Sequence, residues 1–160
     1  MKVLLVEPYA HTISHAPQYA RDVSLALANA GGQVTLLTFD GLLGRQEQDR
    51  QIDCRSVVKQ AGIFGGALRL MSRVLHRTVV IPAPDSFVTL LYAAWWQRRH
   101  KCHAVHLLDD ALPMLSPFFL GNMVRDCAIV VTLHNPYREQ HLLDNWLNKF
   151  GASLRRRDLA

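Results

Sequence analysis

Short apolar runs alternate along this chain with longer segments in which apolar residues return at helical spacing. The runs predict β-strands at Lys2–Glu7, Gln33–Phe39, Cys54–Val58, Ala104–Leu108 and Ala128–Leu133. The segments between and after them predict helices at about 17–30, 68–77, 85–100, 113–124 and 142–150. Strands that alternate with helices predict an α/β fold with an open, doubly wound parallel sheet of the Rossmann-like kind.

Length and composition indicate one globular domain. The chain has 160 residues, of which 49% are hydrophobic and 19% charged, enough to build a sizeable core. We assign residues 1–150 to this domain and residues 151–160 to a basic tail. No apolar run approaches the roughly 20 residues that span a bilayer.

The first residues and the cysteines indicate the cellular compartment of the protein. The apolar run at Lys2–Val6 is short and is followed by Glu7 and Pro8, so it is not typical of a signal peptide. Three widely spaced cysteines do not suggest a disulfide framework. We therefore predict a cytoplasmic protein.

Charge and motifs narrow the choice of ligand. The formal charge of +5 favours an anionic partner. No Gly-x-Gly-x-x-Gly follows the first strand, and no Gly-Lys-Ser/Thr loop occurs, so the usual nicotinamide and ATP sites are not expected. Basic residues lie near aromatic ones, but no nucleic-acid-binding motif is present, and we predict no nucleic-acid partner.

Polar residues follow two predicted strands where ligands bind in parallel sheets. His134 ends the run that starts at Ala128, and an imidazole there can hydrogen-bond a reacting hydroxyl. Alternatively it bonds a loop carbonyl. Asp109 and Asp110 follow the strand at Ala104, where a carboxylate can accept a proton or a hydrogen bond. Their alternative role is to cap a helix.

Several histidines have spacings that raise the question of a metal site. His11 and His15 lie four residues apart in the loop after the first strand, and we interpret them as hydrogen-bonding groups near the cleft. His103 and His106 would point to opposite faces of a strand. We therefore predict no metal site.

Four segments together resemble the N-terminal domain of a GT-B glycosyltransferase of the family 4 type. They are Lys2–Tyr9, Leu25–Thr38, Ala104–Asp110 and Val130–His134. The second is similar to the family's passage from a helix through Gly-His-x-Val into a strand, with Gly32 where histidine is usual. The last is similar to the strand that ends in the family's active-site histidine.

The resemblance implies a function and a division of labour. The chain would be the acceptor-binding half of a retaining enzyme that moves a sugar from a nucleotide-sugar donor to a hydroxyl, with no other cofactor. A second Rossmann-like domain or subunit would hold the donor, and the chain alone would be inactive. The resemblance also implies that the tail at 151–160 stops before the last strand of this half. His134 would be catalytic, and the acceptor would be bound by Tyr9, His11, Ser14, His15, Asp109, Asp110 and Asn135.

The loop after the first strand departs from the family pattern. Many members have a Gly-Gly pair there, which lets the backbone approach the donor phosphate, whereas this chain has about Ser14-His15. A hydroxyl and an imidazole can still hydrogen-bond an anion, but the close backbone approach that glycine permits is lost.

Arg69, Arg73 and Arg77 recur every four residues beside apolar positions. They predict a basic amphipathic helix that can lie on an anionic membrane surface, which would place the protein peripherally on the inner face of a membrane. The alternative is an ordinary surface helix with its leucines in the core. Trp95 and Trp96 belong to a second apolar stripe that we interpret mainly as core packing.

Two other function classes stay open. One is a non-catalytic α/β module that binds a partner or a membrane, which the absence of the glycine pair and of a donor-binding half favours. The other is a small phosphate-ester or nucleotide-binding enzyme, since a fold does not determine its chemistry.

Overall fold

The computed structural model describes residues 1–12, 15–44, 52–78, 84–108 and 127–132. For residues 76–78 it describes the backbone alone. The described part contains a sheet of five strands in the order β3-β2-β1-β4-β5. The strands are β1 Lys2–Val6, β2 Gln33–Thr38, β3 Asp53–Ser56, β4 Ala104–Leu107 and β5 Ala128–Val131. Every neighbouring pair is parallel, which confirms the open α/β sheet predicted from the sequence.

Helices cover both faces of this sheet. They are α1 Ala16–Asn29, the short α2 Val57–Gln60, a 3-10 helix at Gly62–Phe64, α3 Gly65–Thr78 and α4 Pro84–His100. Successive strand residues point to opposite faces. Val3 and Leu5 of β1 accordingly pack with α1, whereas Leu4 and Val6 pack with α4.

The turn from α1 into β2 is closed by two glycines. The Gly32 amide donates to the Leu27 carbonyl over 3.0 Å and the Gly31 amide to the Ala28 carbonyl over 2.9 Å, the bonding pattern of a Schellman motif. Gly31 has a φ of 82°, which a residue with a side chain rarely adopts. A Cβ atom at Gly32 would lie 2.8 Å from the Leu27 carbonyl oxygen. The geometry of this turn therefore requires glycine at position 32.

The predicted strand Cys54–Val58 is wrong at its end. Strand β3 stops at Ser56, and Val57 and Val58 begin α2. The Ser56 hydroxyl accepts a hydrogen bond from the Lys59 amide over 3.2 Å, so this side chain caps the helix. A local cap overrides the strand preference of two valines.

Two glycines form the start of α3, which begins three residues before the predicted helix at 68–77. Gly65 and Gly66 both belong to the helix. A Cβ atom at Gly65 would lie 2.4 Å from the Val58 carbonyl oxygen, so glycine lets α3 pack closely on α2.

The other predicted elements either agree with the structure to within a residue or two or lie outside the described residues. The helix predicted at 85–100 is confirmed as α4, and β1, β2 and β4 each end one residue earlier than predicted. The predicted helices at 113–124 and 142–150, and the tail at 151–160, lie outside the described residues.

Candidate functional site

The strand order places a topological switch point between β1 and β4. The chain passes from β1 outward to β2 and β3, and then returns to β4 on the other side of β1. In open parallel sheets, ligands bind beyond the carboxyl ends of the strands at such a point. The described residues there belong to the loop after β1, the start of α4, and the ends of β2, β4 and β5.

The loop after β1 is anchored by Glu7, whose side chain is fully buried. One carboxylate oxygen of Glu7 accepts a hydrogen bond from the Tyr9 amide over 2.9 Å. The Tyr9 carbonyl then accepts from both the amide and the hydroxyl of Thr12, over 2.9 and 2.8 Å. The Leu43 amide donates to the Ala10 carbonyl over 2.8 Å, which ties the loop to the segment after β2. The loop is therefore fixed at both sides.

Glu7 is a site residue that the sequence pattern does not reveal, because it falls at the predicted end of the first strand. A charged residue at the end of an otherwise apolar run was the available signal. Acids are almost never fully buried unless they are paired or hydrogen-bonded, so a buried Glu7 points to a specific structural role.

Tyr9 reaches from this loop to the start of α4. The Ser86 hydroxyl donates to the Tyr9 phenolic oxygen over 3.3 Å, and Ser86 is buried while Tyr9 is half-buried. The same helix end holds Asp85, whose carboxylate accepts from the Ser72 hydroxyl of α3. Tyr9 thus links the loop after β1 to the start of α4 at the carboxyl edge of the sheet.

His11 lies at the other side of the same loop. Its Nδ1 atom is 3.0 Å from the Pro8 carbonyl oxygen, which can only accept a hydrogen bond, so Nδ1 carries the proton. In the neutral ring, Nε2 is then an acceptor that suits a ligand hydroxyl. The ring centroid lies 5.9 Å from that of Phe39, at the end of β2.

His15 occupies a different position, at the start of α1. Its carbonyl accepts from the Tyr19 amide over 3.0 Å, and the residue is exposed. Tyr9 and His11 therefore belong to the loop after β1, whereas His15 is the N-cap residue of α1. Ser14 lies outside the described residues.

A second histidine at this edge was not predicted as a site residue. The Nε2 atom of His106 on β4 lies 2.7 Å from the Thr132 hydroxyl, directly after β5. Burial lowers the pKa of His106 below its usual 6.5, so the ring favours its neutral form. The Thr132 amide also donates to the Leu107 carbonyl over 2.9 Å. The ends of β4 and β5 are joined by side chain and backbone alike.

Helix α3 flanks the edge beyond β2. Arg69 donates two hydrogen bonds to the Asp40 carboxylate, over 2.7 and 2.5 Å, and these bonds raise the pKa of its guanidinium. Of the three arginines predicted to face a membrane, Arg69 is therefore paired within the protein. Arg73 is exposed, and the side chain of Arg77 lies outside the described part.

The other predicted site residues lie outside the described residues. They are the catalytic candidate His134, and Asn135, Asp109 and Asp110 as acceptor ligands. Strand β4 ends two residues before Asp109, and Thr132 is two residues before His134. Their roles stay predictions.

Two histidines outside the loop after β1 make contacts within the protein. The His103 amide donates to the Lys2 carbonyl over 2.9 Å, at the amino ends of β4 and β1. The His100 ring stacks on Trp96, with centroids 3.8 Å apart. Within the described ranges, no group of three or more His, Cys, Asp or Glu residues is placed to hold a metal ion.

The membrane question has one direct structural answer. Among the helices that the structure describes, none combines the length and the apolar character needed to cross a bilayer.

Comparison with known proteins adds no assignment. No protein-family model matches the sequence, and no curated protein matches it significantly.

Proposed function

We propose that this chain is the acceptor-binding half of a glycosyltransferase that moves a sugar from a nucleotide-sugar donor to a hydroxyl acceptor. The observation that carries the proposal is the anchored loop after β1, where Glu7 holds the Tyr9 amide, Tyr9 contacts the start of α4 and His11 lies beside Phe39, at the carboxyl edge of the sheet. The resemblance of four segments to family 4 enzymes supports the choice of reaction over other chemistries that this fold accommodates.

The described groups suit a polyhydroxylated acceptor. Tyr9 offers a phenolic hydroxyl, and His11 offers Nε2 as an acceptor, so together they can donate to and accept from sugar hydroxyls. The proposal gives His134 the catalytic role and adds Ser14, Asp109, Asp110 and Asn135 as acceptor ligands. The pair of His106 and Thr132 would then steady the strand end that leads to His134.

The donor belongs to a partner in this proposal. A second Rossmann-like domain or subunit would cover the carboxyl edge and supply the cations that stabilise the leaving diphosphate, so no resident metal or cofactor is invoked. The protein would work in the cytoplasm, at the inner face of a membrane.

Reconstitution with a donor-binding half tests the proposal. We expect the pair to hydrolyse or transfer from UDP-glucose or GDP-mannose, with His134→Ala reducing the rate by at least about a hundredfold. His103→Ala is the matched control, because His103 lies at the opposite edge of the sheet. Full activity of the His134→Ala pair would remove that residue from catalysis. No activity with any candidate half would favour the alternative.

The alternative is a non-catalytic module that binds a partner or a membrane. It is favoured by Ser14-His15 in place of a glycine pair and by an exposed apolar face on α3. Binding without turnover, unaffected by His134→Ala, would identify such a module.

A further inference from the structure

Helix α3 and the 3-10 helix before it turn their apolar side toward solvent. The exposed fractions of the side chains are 92% for Ile63, 67% for Phe64, 63% for Leu70, 45% for Met71 and 49% for Val74. We call these five residues the apolar stripe. The other large apolar side chains that are exposed in the described part lie on separate elements, at Met1, Leu43, Leu91, Trp95 and Val130.

The stripe is continuous along one face. In an α-helix successive residues are about 100° apart, so Leu70, Met71 and Val74 fall within about 100° of the circumference. Ala67, also exposed, lies in the same sector. The 3-10 helix brings Ile63 and Phe64 to the N-terminal end of this face. An exposed apolar face of this kind marks an interaction site.

The opposite side of α3 is held by the protein. Gly65 is buried against the Val58 carbonyl, Ser72 donates to the Asp85 carboxylate, and Leu68 packs against the core on the α4 side. Arg69 is paired with Asp40 on a third side. These contacts fix the rotation of α3, so the stripe faces outward because of the fold and not because the helix is loose.

Charge indicates what covers the stripe. Between Asp53 and Asp85 the sequence has no acidic residue and carries Arg55, Lys59, Arg69, Arg73 and Arg77. On the helix, Arg73 lies about 60° from Leu70 at the edge of the stripe and is exposed, whereas Arg69 is paired with Asp40. An apolar face bordered by cations is the pattern of helices that lie in the interface of an anionic bilayer.

We propose that the apolar stripe docks the protein onto an anionic lipid surface, with Ile63, Phe64, Leu70, Met71 and Val74 entering the interface and Arg73 contacting lipid headgroups. The sequence predicts membrane contact for the three arginines of α3, and the stripe supplies the apolar surface that inserts. The inference does not depend on sugar transfer. It would place the carboxyl edge close to the bilayer, because Asp40 and Asp85, which α3 contacts, both lie at that edge.

Vesicle co-sedimentation of the 160-residue chain tests the proposal. We expect binding to phosphatidylcholine vesicles that contain phosphatidylglycerol and little binding to pure phosphatidylcholine. The double variant Leu70→Ser, Val74→Ser should lose at least about tenfold in affinity, and Arg73→Glu roughly fivefold or more. Matched controls on α4, Leu91→Ser and Arg98→Glu, should bind as the wild type does. Circular dichroism verifies that every variant folds.

A fluorescence measurement locates the stripe in the bilayer. Phe64→Trp should gain emission that shifts to the blue on vesicles and is quenched by brominated lipids, whereas Leu91→Trp should not. Absence of vesicle binding, or equal losses in the stripe and control variants, would overturn the proposal. So would self-association through the stripe, seen by light scattering and abolished by the double variant, without vesicle binding, because a second copy would then be its occupant.

Discussion

His106 and Thr132 are joined by a hydrogen bond of 2.7 Å between the imidazole Nε2 atom and the threonine hydroxyl, across the ends of two neighbouring parallel strands. The bond lies on the face of the sheet opposite to α4, because Val105 and Leu107 on either side of His106 pack into the α4 cluster. It therefore joins a titratable side chain of β4 to the residue that directly follows β5.

We expect the stability of the protein to decrease on mild acidification because of His106. Burial lowers its folded pKa below 6.5, the value expected when unfolded. At pH values from about 6.5 downward to the folded pKa, the unfolded chain binds more protons, so the free energy of unfolding falls as the pH falls. His106→Gln cannot be protonated and should show a shallower decrease in urea unfolding between about pH 7.5 and 5.5.

An independent measurement addresses the same group. Titration of the His106 ring proton resonances by NMR should give a pKa below 6.5. A value above 6.5 in the folded protein would reverse the sign of the effect and contradict the prediction.

Replacement of Glu7 should loosen the loop that carries Tyr9 and His11. Glu7→Ala removes the acceptor of the Tyr9 amide and leaves a buried space, and we expect a loss of about 2–4 kcal/mol in the free energy of unfolding. Glu7→Gln retains an oxygen acceptor of nearly the same size and should lose less than half of that. Urea unfolding at pH 7 measures both variants. Equal losses would show that the carboxylate charge, and not the hydrogen bond to Tyr9, is what matters.

The sheet was predictable because buried parallel strands leave a clear pattern. Lys2–Val6 is a nearly continuous apolar run, and Gln33–Thr38 is rich in leucine and β-branched residues. Pro8 and Gly31-Gly32 mark their boundaries, because these residues break strands and helices. The end of β3 was not predictable in the same way. The Ser56 hydroxyl caps a helix that begins with two β-branched residues, Val57 and Val58.

The candidate site was predictable only where a residue's role follows from its neighbours in sequence. Tyr9 and His11 lie where a loop after β1 had to pass. The role of His106 depends on Thr132, 26 positions away, and that of Ser72 on Asp85 in another helix. The outward face of α3 was one of two alternatives that the sequence left open, since periodicity locates an apolar face without saying which side of the helix meets the core.

Replacement of Gly32 should destabilise the turn between α1 and β2. Gly32→His or Gly32→Ala would place a Cβ atom 2.8 Å from the Leu27 carbonyl oxygen, so we expect a loss of about 1–3 kcal/mol in the free energy of unfolding. Gly31→Asn is the control, because asparagine tolerates the left-handed backbone and should lose under about 1 kcal/mol. A Gly32→His variant as stable as the wild type would mean that the turn does not select glycine.

Two adjacent glycines at the start of α3 should respond to alanine in opposite directions. Gly65→Ala places a Cβ atom 2.4 Å from the Val58 carbonyl oxygen, so α3 must move away from α2, and we expect a loss of about 1–3 kcal/mol. Gly66 has no atom within 4 Å of such a Cβ and is exposed, so Gly66→Ala should gain up to about 1 kcal/mol from helix propensity. Thermal and urea unfolding of the two variants compare them directly. Because α3 carries the apolar stripe, Gly65→Ala should also weaken vesicle binding, whereas Gly66→Ala should leave vesicle binding unchanged. If both variants had the same effect on binding, the packing of α3 on α2 would not be what orients the stripe.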